Sequence, residues 1–133
     1  MVGYSVMFLI SELHRAAVRR CQFITVKYSI FCLCILQRLY ELGLINFYTV
    51  SCFGGKKFII VGLRFLSGIP CIRSVQQLGG KTRGFPLSFK LIRSRYNSEP
   101  GCYMFFLTVR GVFLLEELFR YRLGGYPLLV VRI

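Results

Sequence analysis

The feature that most constrains this chain is that its apolar residues are abundant but arranged in short runs. Apolar residues make up 55% of the sequence and the mean hydropathy is +0.58. A membrane-spanning helix needs about 20 consecutive, nearly uncharged apolar residues. The charge-free windows here include Phe65–Ile72, Tyr28–Gln37 and, longest, Leu42–Gly55. Even the last falls short, and Gly43, Asn46 and the Gly54–Gly55 pair interrupt it. The expectation is a chain without a membrane span that buries its apolar side chains against one another in short elements. A small hydrophobic, basic membrane protein is the alternative reading.

Charge narrows the partner. Lys and Arg number 18 against 5 acidic residues, Asp is absent, and the net charge is +13. Such an excess repels itself on folding, so a polyanion is the simplest partner. The cations are spread from Arg15 to Arg132 rather than gathered in a tail, which suits a folded surface lying along nucleic acid. The 6 cysteines do not suggest a disulfide framework. Cys32 and Cys34 fall inside a helical pattern, and His14 is the only histidine. No metal and no cofactor is expected, and the thiols read as small hydrophobes. No enzyme is expected either. Glu116 and Glu117 are neighbours that point apart on a helix, and His14 has no Asp to orient it.

The element order reads as α+β in two small lobes. Residues Tyr4–Arg20 have helical spacing, with Met7, Ile10, Leu13 and Ala17 on one face. Phe23–Val26 is a short strand. Ser29 stands at an N-cap position before a helix carrying Ile30, Leu33, Leu36 and Tyr40, which Gly43 ends. Leu44–Cys52 and Lys57–Leu66 form a hairpin about Gly54–Gly55. The amino-terminal lobe, residues 1–66, is therefore α-β-α-β-β. The carboxy-terminal lobe, 67–133, reads as mostly β with a short helix. Its expected strands are Cys71–Leu78, Phe85–Ile92, Cys102–Val109 and Leu128–Ile133, and its expected helix is Val112–Arg122. Gly79–Gly84 is a basic loop, Arg93–Gly101 is turn-rich, and the lobes divide near Leu66–Pro70.

This order, with Glu41-Leu42-Gly43-Leu44-Ile45 closing the second helix, resembles the family of small ribosomal subunit protein eight. The more specific match is carboxy-terminal. Phe105-Phe106 precede Leu107-Thr108-Val109, then come Arg110-Gly111-Val112-Phe113, and Leu123-Gly124-Gly125 leads into the last strand. The likeness runs from about Leu9 to Ile133. The sequence departs from the family where Leu107 and Val109 replace two serines and where the 79–85 loop lacks a Pro-Gly pair. The helix before the Cys102 strand is reduced to something like Arg93–Gly101. Phe89-Lys90 resembles the family's Tyr-Lys position, with Phe89 read as core because it alternates with Phe85 and Leu87.

The resemblance implies a structural constituent of the small ribosomal subunit that binds the central domain of its rRNA. It implies neighbouring ribosomal proteins as further partners, small-subunit protein five among them, and no homo-oligomer. The candidate rRNA-binding residues are Thr108, Arg110 and Gly111 in the turn, and Lys81, Thr82 and Arg83 in the basic loop. His14, Arg15, Lys27 and Ser29 form the amino-terminal group. Thirteen Phe and no Trp suggest T-rich codons of an organellar gene. Such a gene needs no import presequence, and none is visible before Leu9. The expected location is the mitochondrial ribosome in preference to a plastid.

Overall fold

The computed structural model describes residues 2–78 and 86–133, with side chains from Val6 onward. It is α+β, with an amino-terminal α-β-α-β-β region followed by a mostly-β region with short helices. Helix α1 (Val2–Arg19) buries Leu9, Leu13, Ala16 and Ala17, a stripe at spacings of three and four. Strand β1 (Phe23–Lys27) alternates and buries Ile24 and Val26. Helix α2 (Ile30–Glu41) buries Cys32, Ile35, Leu36 and Leu39. Gly43 turns the chain out of α2 at φ +77, a conformation that glycine adopts without a Cβ clash. There the Leu44 N–H bonds back to the Leu39 carbonyl at 3.0 Å.

Strands β2 (Ile45–Phe53) and β3 (Lys56–Leu63) form the expected hairpin. Gly54 and Gly55 both have positive φ, as a type I′ turn requires. The sheet order is β1-β3-β2, all antiparallel. Helices α1 and α2 pack on one face, where Ile24, Val26, Ile59 and Val61 join their buried residues.

The short pair β4 (Phe65–Leu66) and β5 (Ile69–Pro70) follows β3 in the chain. Beyond it come strand β6 (Ser74–Gln77), helix α3 (Phe89–Arg95), strands β7 (Cys102–Thr108) and β8 (Gly111–Leu114), helix α4 (Leu115–Tyr121) and strand β9 (Tyr126–Arg132). The strands form an antiparallel sheet in the order β6-β9-β7-β8. One buried cluster draws on both lobes, joining Leu9 and Leu13 to Val75, Phe105, Leu129 and Val131. A smaller cluster gathers Ile92, Phe106 and Leu118.

Three expectations for the carboxy-terminal lobe are corrected. Where a strand over Phe85–Ile92 was expected, the described part turns helical at Phe89. The Ser88 hydroxyl accepts the Leu91 N–H at 3.3 Å, and this N-cap outweighs the apolar alternation. Leu87 makes only an isolated bridge to Gly125. The helix before β7 is therefore formed over Phe89–Arg95 rather than reduced within Arg93–Gly101. Phe89 packs edge-on against Phe119, centroids 6.4 Å apart. Third, Val112–Leu114 is strand, and the helix waits until Leu115. Gly111 folds the chain back so that Val112 and Leu114 point inward, and Glu117 then accepts the Leu114 N–H at 3.0 Å, setting the helix start. Among the described residues, no helix is long and apolar enough to cross a membrane.

Candidate nucleic-acid interface

The β7–β8 turn holds three of the expected residues together. Thr108 pairs with Gly111 across it. The Thr108 hydroxyl donates to the Gly111 carbonyl at 2.9 Å, and the Arg110 N–H donates to Thr108 Oγ1 at 3.1 Å. The one proton this hydroxyl carries is thus held inside the turn. Val109, 98% exposed, and Arg110 form the outward edge. Gly111 has φ +123, a backbone state disfavoured for residues with a Cβ.

Two glycines seat this turn on the fold. A Cβ on Gly125 would lie 2.5 Å from the Leu107 carbonyl oxygen, and one on Gly124 would lie 2.4 Å from that of Leu87. Gly125 and Leu87 exchange backbone hydrogen bonds of 3.0 and 2.9 Å. The Leu123-Gly124-Gly125 motif therefore exists so that three chain segments can touch, backbone to backbone: the strand end at Leu107–Thr108, the glycines, and Leu87–Ser88 at the entry to α3.

Lys81, Thr82 and Arg83 lie outside the described residues. On the carboxy-terminal side of that segment, Leu87 sits beside Gly125. On its amino-terminal side, the Leu78 N–H bonds to the Leu128 carbonyl at 3.1 Å.

The amino-terminal candidates are placed separately. His14 Nδ1 accepts the Val75 N–H at 3.3 Å and ties α1 to β6. It borders an open cleft of about 290 Å³ whose lining includes Met7, Ile10 and Gln77. Arg15 is exposed and ion-paired with Glu12 one turn earlier. The hydrogen bond and charge of that carboxylate raise the guanidinium pKa above its usual value. Lys27 is exposed at the end of β1. Ser29 is the N-cap residue of α2, but its side chain does not cap the helix. Its carbonyl accepts the Leu33 N–H at 3.0 Å. His14 and Arg15 stand on α1, Lys27 ends β1 and Ser29 precedes α2, whereas Thr108, Arg110 and Gly111 lie in the β7–β8 turn.

The acids are engaged within the chain. Glu12 pairs with Arg15, while Glu41 and Glu117 both pair with Arg38. Glu116 accepts the Ser98 hydroxyl at 2.9 Å, and Glu99 faces the Cys102 thiol at 3.8 Å. Among the described cations, only Arg15 and Arg38 have an ion pair. The positive surface is therefore largely unneutralised by the chain itself.

Sequence reasoning missed the Arg38–Glu117 contact, which links α2 to α4 across the lobes. No signal in the residue order points to it, since the partners lie 79 positions apart. The described residues contain no group of three His, Cys, Asp or Glu that could hold a metal. None of the six cysteines is in a disulfide: Cys32 is buried, Cys52 exposed, and the rest half-buried. No protein-family model and no curated protein matches the chain.

Proposed function

We propose that this chain is a structural rRNA-binding protein of the small ribosomal subunit, of the protein-eight type, acting in the mitochondrial ribosome. The observation that carries the reading is the β7–β8 turn. It presents Arg110 and exposed backbone at a sheet end, and is seated on Gly124–Gly125 by backbone contact. Contacts of this kind suit RNA, whose A-form major groove is too narrow for side chains to read. Two further observations support it. A helix precedes β7, where the resembling family has one, and the dispersed cations lack internal counterions. The role is positional rather than catalytic: the turn fixes a bend of the sugar-phosphate backbone, and the remaining cations follow phosphates. Small-subunit protein five is the proposed protein neighbour, and the chain enters the particle as a single copy.

Binding to a central-domain rRNA fragment, measured across salt concentrations, tests this. Each lost phosphate contact should flatten the slope of log affinity against log salt by roughly 0.7–0.9. Arg110→Ala should weaken binding and flatten the slope by about one contact. Lys81→Ala and Arg83→Ala should do the same if the basic loop tracks phosphate. Wild-type slopes in all three variants would show that neither the turn nor these two loop residues touches phosphate.

A further inference from the structure

We propose that the open face of the β1-β3-β2 sheet is a second RNA site, one that stacks unpaired bases. The proposal rests on the RNA-binding reading but uses a different surface from the Thr108 turn. Helices α1 and α2 cover one face of this sheet. On the other, strand register places Phe23, Gly62 and Phe47 side by side. The two rings stand 5.9 Å apart at 49°. Gly62 makes this possible, because a Cβ there would lie 2.3 Å from Phe47 Cε1. The Phe47 ring therefore lies down on the central strand, and Phe23, 59% exposed, stands beside it.

The same face continues past Ile60, flanked by Thr25 and Thr49, to Phe58, flanked by Lys27 and Ser51. Phe53, 82% exposed, and Lys56 close the hairpin end. From Phe23 to Lys27 the strand advances about 13 Å, a length that suits two or three nucleotides on an aromatic sheet. No glutamate occurs in any of the three strands.

Charge and chemistry together select the occupant. Exposed rings on this scale call for a partner. An apolar protein surface would match the phenylalanines but leave Lys27 and Lys56 without counterions. A single RNA strand supplies π-faces for the rings, phosphates for the lysines, and 2′-hydroxyls for the threonines and serine between them.

The test uses the full chain and two fluorescent probes, an unstructured oligouridine of about ten nucleotides and the folded rRNA fragment. Phe23→Leu keeps an apolar side chain and removes the π-face. It should weaken oligouridine binding by about five-fold or more with an unchanged salt slope. Phe23→Tyr should retain binding, and Lys27→Gln should flatten the slope. Phe47→Leu provides a second loss variant, and circular dichroism confirms that each variant folds. Ultraviolet cross-links should map to Phe23 or Phe47. If the wild type ignores oligouridine yet binds the rRNA fragment, this proposal fails and the general RNA reading stands. If it binds neither probe, both fail. If Phe23→Leu binds oligouridine as the wild type does, stacking is refuted. If Phe23→Glu then blocks entry into a ribosomal particle, the face belongs to a protein.

Discussion

The contact between Arg38 and Glu117 should reinforce the shared core that joins the amino- and carboxy-terminal regions. Glu117 has two tasks: its Oε1 accepts the Leu114 N–H at 3.0 Å at the start of α4, and it also receives Arg38 Nη2 from α2. Both side chains are 23% exposed, between the surface regime, where a pair contributes about 0–1 kcal/mol, and full burial, where removing one partner costs about 3–5 kcal/mol. Glu117→Gln keeps an acceptor for Leu114 and removes only the charge, so it should destabilise by about 1–1.5 kcal/mol. Glu117→Ala also removes the cap, itself about 0.5–2 kcal/mol, for a total of about 1.5–3.5 kcal/mol. Arg38→Met keeps the stem and removes a guanidinium whose Nε is buried without a partner. That gain offsets part of the lost pair, leaving a net cost of about 1 kcal/mol. In a double-mutant cycle of Arg38→Met with Glu117→Gln, followed by urea unfolding, the coupling should be about 1 kcal/mol. A coupling below about 0.3 kcal/mol, within the usual scatter of additivity, would refute the account of this pair as an interlobe tie.

Two further substitutions probe the turn and its seat. Gly125→Ala must push its methyl towards the Leu107 backbone oxygen, which cannot swing aside as a side chain would. It should cost about 3 kcal/mol, the upper end for overpacking, in thermal melts, and wild-type stability would show that the close approach is not needed. Thr108→Val removes both hydroxyl contacts in the turn and should cost about 1 kcal/mol, while Thr108→Ser should stay near the wild type. Equal stability of the Val variant would mean that the hydroxyl is free for a partner after all.

The amino-terminal lobe was legible because local signals and tertiary packing agree there. Ile10, Leu13 and Ala17, read as one helical face, are buried, although Met7 on that face is 42% exposed; Gly43 stops α2 at positive φ, and Gly54–Gly55 close a hairpin. The carboxy-terminal lobe was harder because two signals competed over short spans. Phe85, Leu87 and Phe89 alternate like a strand, yet Ser88 caps a helix between the last two. Val112 and Phe113 look like the first residues of a helix rich in Leu and Glu, but pairing with β7 claims them first. The turn at Thr108–Gly111 was legible as a place, though not as a geometry. Nothing in the residue order says that the Thr108 proton goes to Gly111, or that Gly124 and Gly125 carry two backbones within touching distance. The Phe23–Phe47 pair was invisible because register alone brings residues 24 positions apart to either side of Gly62.

Sucrose-gradient sedimentation of the native protein tests the central claim most directly. A structural protein of the small subunit should travel with small-subunit particles in stoichiometric amount and leave them only as salt rises enough to weaken phosphate contacts. Protein that stays at the top of the gradient would contradict the account. So would protein that floats with membranes and resists high salt.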